Sequence, residues 1–347
     1  MLHILGSQGE GGGQILRTGL SLACALKRSI TIDKIRYNRS PSGLSAQHLT
    51  CANAINTICG GRMTGNTLRS TRLEFFPDTV IPGDYEFHIG TAGSCLLVLQ
   101  TLVPPLITAN GKSKITVHGG TAVPFSPSFH YFSEVYIPFL QQQGIDITVE
   151  CSRFGFYPKG GGTVSLYVTG KGSLTPLRPI SLLSKGNLLS VSLLSACSQS
   201  LPDHINERQM KALLSACKQR FRCPLEQRLE KWDTLSPSTF AFIRLDYEQV
   251  RTAFFSFGKR GLPAEKVAAN AVSDLDNYLA VGEGVVDCHF SDQLITLLAL
   301  SMGKSEFITS CITLHSLTNA DVVNLFYPSK IRIEGQEGSL GVIHVDN

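Results

Sequence analysis

An order of helices and strands that occurs three times along the 347 residues leaves few folds open to this chain. Apolar residues at helical spacing predict a first helix over residues 13–26, 93–107 and 291–301, and a short strand follows each one. A second helix and further strands then come in the same order. Since one such unit cannot bury its own apolar faces, we predict an α/β (α+β) fold in which three two-helix, four-strand units form a pseudo-symmetric body.

The remaining elements of each unit follow from periodicity and from residues that end helices. In the first unit they are a strand at 30–35, a helix at 42–59 and strands at 73–76 and 85–89. In the second unit they are a strand at 114–118, a helix at 127–143 and strands at 145–151 and 163–169. In the third unit they are a strand at 306–309, a helix at 316–326 and strands at 331–334 and 341–345.

The segment between the second and third units departs from this order. Residues 183–280 are more charged and contain the single tryptophan, Trp232. Their pattern predicts a strand at 188–194, a helix at 206–220, strands at 226–229 and 239–246, and a helix at 263–278. We therefore expect a small inserted α/β domain at 183–280, with the body formed by 1–182 and 281–347.

Composition indicates a folded protein with a large core, because 43% of the residues are hydrophobic and 17% are charged. The net charge of +4 is small and says little about partners. Ten cysteines without a C-x-x-C pair predict reduced, mostly buried thiols and hence a reducing compartment. The start of the chain lacks a signal-peptide pattern and no apolar stretch could cross a membrane, so we expect a cytoplasmic location.

A glycine-rich segment at 9–13 leads directly into the first predicted helix. Backbone N–H groups at such a helix start bind phosphate well, Glu10 could hold a divalent metal, and Arg17 lies one turn further on. A dinucleotide fingerprint is disfavoured because residues 3–5 are short for a strand and the glycine spacing is wrong. A P-loop would need Gly-Lys-Ser/Thr, which is absent. An anion site and a simple tight turn both remain open.

Two further segments combine basic residues with other recognition groups. Residues 153–162 (RFGFYPKGGG) join two predicted strands, so a hairpin connection explains the glycines, whereas aromatic and basic side chains together suit a nucleotide or an RNA end. Residues 36–39 (RYNR) with Gln47 and His48 suit phosphate binding, although a solvated loop is the more common explanation of such a segment.

His315 lies where a predicted strand of the third unit meets a helix. Such a histidine is commonly a packing or capping residue, but a neutral imidazole can also be a nucleophile toward phosphorus. No second histidine or cysteine stands at metal-ligand spacing, which argues against zinc.

Taken together, these segments resemble the RNA 3′-terminal phosphate cyclase family. The resemblance rests on EGGGQILR at 10–17, GFYPKGGG at 155–162, GKRG at 258–261, SDQL at 291–294 and HSLTN at 315–319. These motifs occur in order over essentially the whole chain. The family fold has three repeated units, similar to those of enolpyruvyl transferases, and an inserted smaller domain.

The resemblance also implies roles for individual residues. It implies that His315 is adenylated by ATP and that Glu10 binds the metal, either magnesium or manganese. It further implies ATP contacts by Gln100 and by the stretch 289–293, which is His289, Phe290, Ser291, Asp292 and Gln293. The phosphates and the RNA end are expected at Arg17, Arg36, Gln47 and His48. One departure is His289, which stands where family members commonly carry a tyrosine near the adenine.

The implied reaction converts an RNA 3′-terminal phosphate into a 2′,3′-cyclic phosphate, with release of AMP and pyrophosphate. Two alternatives share the architecture. A non-catalytic, cyclase-like protein of ribosome assembly would lack the histidine, which is present here as His315. An enolpyruvyl transferase would use neither adenylation nor RNA, and the motifs favour the cyclase. The sequence does not indicate an oligomeric state.

Overall fold

A computed structural model describes residues 1–346, which form four four-stranded sheets with helices between and beside them. The mixed α/β class predicted from the sequence is confirmed. In every sheet the first two strands of the chain run parallel and the other two pairs are antiparallel, and three of the sheets also share one strand order, first-second-fourth-third in chain order.

The first of these sheets has the strand order β1-β2-β4-β3. Its elements are β1 (Leu2–Leu5), α1 (Gly13–Leu26), β2 (Ile30–Asp33), α2 (Ala46–Cys59), β3 (Arg62–Thr64) and β4 (Leu73–Phe76). The expectation that residues 3–5 are too short for a strand was wrong, because β1 pairs with β2 in parallel over its whole length. Strand β3 was not predicted, because its three residues are largely exposed and show no apolar pattern.

The second sheet has the order β5-β6-β8-β7. Its elements are β5 (Asp84–His88), α3 (Cys95–Thr108), β6 (Asn110–Gly119), α4 (Phe129–Tyr131), a π-helical turn (Phe132–Tyr136), α5 (Ile137–Gln142), β7 (Asp146–Arg153) and β8 (Gly162–Lys171). The assignment of residues 85–89 to the first unit was wrong, because β5 pairs in parallel with β6. Helix α3 is continuous through Pro104 and Pro105.

Residues between the second and third of these sheets form a sheet of their own. After β9 (Ser181–Leu182) come β10 (Leu188–Ser198), α6 (Asp203–Arg220), β11 (Leu225–Trp232), β12 (Thr239–Tyr247), β13 (Arg251–Phe257) and α7 (Ala264–Ala280). The strand order is β11-β10-β12-β13. Strand β13 was not predicted.

This inserted segment is tied to the second unit by ion pairs. Glu134, in the π-helical turn, accepts a hydrogen bond from Arg228 of β11 at 2.7 Å and another from Arg244 of β12. On the third unit, Asp287 accepts from the Thr252 hydroxyl of β13 at 2.8 Å and from the Tyr131 hydroxyl at 2.8 Å. Asp287 is buried, so these bonds form in the interior.

The last sheet, of order β15-β16-β14-β9, includes the short β9 from before the insertion. Its other elements are α8 (Cys288–Leu298), β14 (Ser305–Thr309), α9 (Leu314–Phe326), β15 (Ile331–Glu334) and β16 (Gly341–Val345). Asp287 caps α8 by accepting from the N–H groups of His289 and Phe290.

Helices from the three units meet in the interior, where α1 packs against α3 and α9, and α8 packs against α9. Gly19 lets α1 lie close to the first sheet, since a Cβ atom there would come within 2.9 Å of Ile4 Cδ1.

Across residues 1–346, the helices are all too short or too polar to span a bilayer. All ten cysteines are unpaired, six of them buried and four partly exposed.

Candidate functional site

A cavity of about 440 Å³ opens where α1, α3, α8 and the start of α9 come together. It brings together six residues that the sequence had singled out: Arg17, Gln100, His289, Asp292, Gln293 and His315. They come from four helices that are far apart in the chain. A volume of this size is in the range of small-molecule sites.

His315 lies in the first turn of α9, on the cavity wall. A capping box fixes this turn, because the Thr313 hydroxyl accepts from the Ser316 N–H at 2.9 Å and Ser316 Oγ accepts from the Thr313 N–H at 2.9 Å. Although solvent reaches the ring, the surrounding protein lowers the pKa of His315 mainly by removing hydration. Arg17, His289 and Arg39 lower this pKa further, and Glu10 opposes them. The imidazole is therefore neutral at physiological pH.

Three buried side chains hold α9 against α1 and α8. Asn319 accepts from the Thr18 hydroxyl of α1 at 2.8 Å, and its amide donates to the backbone carbonyl of Asp292 on α8 at 2.8 Å. The Asp292 carboxyl group accepts from Thr313 at 2.6 Å. Burial raises the pKa of Asp292 to about 8. Asn319 and Thr313 thus fix the position of the turn that carries His315.

Two amide side chains join opposite walls of the cavity. Gln100 of α3 donates to Gln293 Oε1 of α8 at 2.8 Å, and Gln293 donates to the His289 carbonyl at 3.0 Å. His289 itself is exposed at the cavity. The amide groups of Gln100 and Gln293 and the imidazole of His289 hydrogen-bond readily to a heterocyclic base.

Glu10 lies beside the cavity in the glycine-rich turn before α1. Its N–H donates to Thr318 Oγ1 at 3.1 Å, and Arg39 contacts its Oε1 at 2.5 Å. Its other oxygen, Oε2, is buried without a hydrogen-bond partner. Such an orphaned carboxylate oxygen fits a hard divalent cation, because Mg²⁺ and Mn²⁺ prefer oxygen ligands.

The turn around Glu10 needs glycine for lack of space. A Cβ atom on Gly13 would come within 2.0 Å of His48 Nε2 and 2.9 Å of an Arg17 guanidinium nitrogen. His48 is buried, and loss of hydration together with Arg17 and Arg36 lowers its pKa to about 3. His48 is therefore a neutral hydrogen-bonding group, and its Nδ1 is bonded to Ser45.

Arg36 and Gln47 lie near this turn, but their side chains hydrogen-bond to backbone groups and do not line the cavity. The Arg36 guanidinium donates to the Gly43 carbonyl at 2.8 Å, and Gln47 Oε1 accepts from the Ser94 N–H at 2.7 Å. Gln47 therefore satisfies one of the free N–H groups at the start of α3.

Phe290 and Ser291 do not line the cavity, unlike their neighbours His289, Asp292 and Gln293. Helical geometry turns them inward, so that Phe290 packs edge-on against Phe139 and Ser291 hydrogen-bonds to Thr309 at 2.6 Å. Both side chains are fully buried. Their contribution is to seat α8.

The glycine motif at 153–162 connects β7 to β8, which pair antiparallel, as the hairpin interpretation predicts, and most of its aromatic side chains are not available to a nucleotide. Phe154 stacks on Trp232 at 3.8 Å and Phe156 is fully buried, so these two rings pack the second unit against the insertion. Tyr157 alone remains exposed among the aromatic residues of this motif. Its glycines allow close backbone approach, since a Cβ on Gly155 would lie 2.5 Å from the Gly162 nitrogen.

Sequence reasoning missed several residues that line the cavity. They are apolar or aromatic residues, and nothing in the sequence marked them except their position near a recognised motif. They are Phe125, Pro127, Tyr131, Tyr136, Phe255 and Leu297. Phe255 comes from β13 of the insertion, so this segment supplies part of the wall. Arg39 had been noted in a basic loop, but its contact with Glu10 joins segments that periodicity cannot relate.

Comparison with known proteins relates nearly all of the chain to one family. The family model of RNA 3′-terminal phosphate cyclase matches residues 8–333. RNA 3′-terminal phosphate cyclase of Koribacter versatilis is 37% identical over 340 residues, covering 97% of this chain and 93% of that protein. Its namesake in Nostoc punctiforme is also 37% identical, over 96% of both chains. The namesake in Pseudomonas fluorescens is 36% identical over 96% of this chain and 95% of that protein. The chain therefore belongs to the RNA 3′-terminal phosphate cyclase family.

Proposed function

We propose that this enzyme uses ATP to convert the 3′-phosphate end of an RNA into a 2′,3′-cyclic phosphate, through a transient adenylate on His315. Family membership supports the general cyclase activity. The observation that carries the mechanism is the position of His315, a neutral imidazole on the wall of the cavity with Arg17 among its neighbours.

The reaction has three displacements at phosphorus. In the first, an imidazole nitrogen of His315 bonds to the α-phosphorus of ATP, and the bond to the β-phosphate breaks to release pyrophosphate. In the second, an oxygen of the RNA 3′-phosphate displaces the histidine and takes the AMP. In the third, the neighbouring 2′-hydroxyl bonds to the 3′-phosphorus, loses its proton and expels AMP. Activation is required because a free phosphate has no usable leaving group.

Charge around His315 suits these steps. Each displacement gathers negative charge on phosphoryl oxygens, and Arg17 offers a two-pronged cationic contact on the cavity wall. The free N–H groups at the start of α9 add a partial positive charge beside His315. The lowered pKa keeps the ring unprotonated, as a nucleophile must be.

The adenosine of ATP fits the opposite side of the cavity in this proposal. Gln100 and Gln293 present amide groups there, and His289 supplies an exposed ring for the base. Asp292, which is protonated at neutral pH, can donate a hydrogen bond as well as accept one. The RNA phosphate then approaches from the side of Arg17, His48 and Arg36.

Glu10 would hold a divalent metal through its unpaired Oε2. When bound, Mg²⁺ or Mn²⁺ supplies charge that offsets the phosphates of ATP. Arg39 holds the other carboxylate oxygen and so orients Glu10.

We also propose that the enzyme works in the reducing cytoplasm, where unpaired cysteines such as these stay reduced.

A non-catalytic relative would share the fold and the cavity without transferring AMP. The test is incubation with ATP labelled at the α-phosphate, followed by denaturing electrophoresis. We expect an acid-labile label on the wild-type protein and none on His315→Ala. His344→Ala is the matched control and should label normally. Label retained by the His315→Ala protein would refute the nucleophile, and an unlabelled wild-type protein would favour the binding module.

A further inference from the structure

A cluster of metal-ligating side chains lies on the second sheet, outside the lining of the cavity. Glu86, His88 and His118 each offer one ligand atom, and these atoms all lie within 4.8 Å of one another. They stand on neighbouring strands, because β5 and β6 run parallel with His88 directly opposite His118. Glu86 precedes His88 by two residues and so shares its face of the sheet.

This face is open to solvent. Ile115 and Val117, which alternate with Thr116 and His118 along β6, are buried on the side where α3 packs. The side chains of Glu86 and His88 are 61% and 67% exposed, and that of His118 is 29% exposed. An ion could therefore enter without any opening of the fold.

The two imidazoles converge on one carboxylate oxygen. Glu86 Oε1 lies 2.8 Å from His118 Nε2 and 3.5 Å from His88 Nε2. Tetrahedral Zn²⁺ with bonds of about 2.0–2.1 Å requires its ligand atoms to be roughly 3.3 Å apart, so small rotations of exposed side chains suffice. The rings are nearly parallel, with centroids 4.3 Å apart.

A neighbouring residue orients one of these histidines for coordination. Thr163 of β8, opposite His118 in the sheet, lies with its Oγ1 2.9 Å from His118 Nδ1. When Nδ1 donates to this hydroxyl, the lone pair of the ring is on Nε2, which faces the cluster. Histidine ligands of metals are commonly fixed in this way through their second nitrogen.

We propose that Glu86, His88 and His118 form a binding site for a transition-metal dication of the Zn²⁺ and Co²⁺ class. Two imidazoles with one carboxylate suit these ions, whereas Mg²⁺ prefers oxygen ligands alone. Three protein ligands leave one position for water or an added ligand. The site is separate from Glu10 and does not depend on the proposed reaction.

The experiment titrates the full-length protein with Co²⁺ in excess Mg²⁺ and follows visible absorption and binding heat. We expect one Co²⁺ per chain, without the charge-transfer band that cysteine thiolates produce. His88→Gln and His118→Gln should each weaken binding at least about tenfold, and Thr163→Val by about tenfold. The matched control is His3→Gln, since His3 is an exposed histidine paired with a single carboxylate, that of Asp33.

Every result of this titration bears on the proposal. Unchanged affinity in both His88→Gln and His118→Gln would overturn it, as would a thiolate band or the absence of bound cobalt in the wild-type protein. A protease-protection assay confirms that each variant is folded. Zn²⁺ should displace the cobalt and remove the visible band, whereas retention of the band under excess Zn²⁺ would contradict the assigned ion class.

Discussion

The hydroxyl group of Thr313 donates to Oδ1 of Asp292 at 2.6 Å, so the residue that caps α9 also contacts a buried carboxyl group on α8. Burial raises the pKa of Asp292 from 3.8 to about 8, and nearby Asp287 adds to this shift. The unfolded chain ionises this group more readily than the folded one. Stability is therefore lost as the pH rises from 3.8 towards about 8.

Replacing Asp292 by asparagine should remove this loss. We expect Asp292→Asn to be more stable than wild type at neutral pH, on the order of 3 kcal/mol, because an amide keeps the contact with Thr313 and cannot ionise. Its adenylation should nevertheless be slower, since Asp292 lines the cavity. Denaturant unfolding at several pH values measures the effect. Asp84→Asn, at an exposed position, is the control, and equal stability of Asp292→Asn and wild type would contradict the assignment.

The pH dependence of adenylation should report on Arg39. Its charge lowers the pKa of His315, while Glu10, which Arg39 pairs, raises it. Arg39→Gln removes the positive charge that lowers this pKa, and it leaves the Glu10 carboxylate, which raises the pKa, without its partner. The acid limb of the single-turnover rate should therefore move to higher pH, whereas in wild type it lies below the ordinary histidine value of 6.5. Arg69→Gln, an exposed arginine, should leave the limb in place, and a limb unmoved in Arg39→Gln would show that Arg39 does not act on His315.

Glu10 should account for most of the dependence of adenylation on a divalent metal. We expect Glu10→Ala to slow adenylation by about 10²-fold, within the range for loss of one electrostatic contact, with only partial rescue by added Mg²⁺ or Mn²⁺. Glu74→Ala, which removes a partly exposed carboxylate paired with Arg72, serves as the control. The wild-type enzyme should lose activity after chelation. Full activity of the chelated enzyme would exclude a metal from this step.

The insertion offers a test of RNA guidance through its basic cluster at residues 218–222. Arg220 is committed to Asp276 of α7 by two hydrogen bonds of 2.6 and 2.7 Å, which leaves Lys218 and Arg222 as the better candidates for phosphate contacts. We expect Lys218→Ala with Arg222→Ala to slow cyclisation of long RNAs most at low salt, with a smaller difference from wild type as salt rises, and to spare short RNAs and adenylation.

Arg220→Ala is the matched variant for this experiment. It should cost up to about 1 kcal/mol of stability through loss of the Asp276 pair, without any dependence on RNA length. If the Lys218 and Arg222 double variant treats long and short RNAs like wild type, the cluster is a solvated helix face.

Sequence periodicity predicted most elements because apolar spacing is local information. Helix α1 and strands β4, β15 and β16 have the predicted bounds. The position of β5 was wrong because strand pairing depends on distant residues, here β6. For the same reason, the inward turn of Phe290 and the pairing of Arg39 with Glu10 were not foreseen. Motifs mark segments, but only packing decides which side chains of a segment face the cavity.

The bonds of Thr252 to Asp287 and of Arg228 and Arg244 to Glu134 have a consequence for protein engineering. Excision of residues 183–280 would remove Thr252, one of the hydrogen-bond donors to Asp287, which caps α8. It would leave the Glu134 carboxylate without its two arginine partners. It would also uncover Phe154, which stacks on Trp232. A trimmed, three-unit enzyme would therefore require compensating substitutions at these positions, and the intact chain should melt as one cooperative unit.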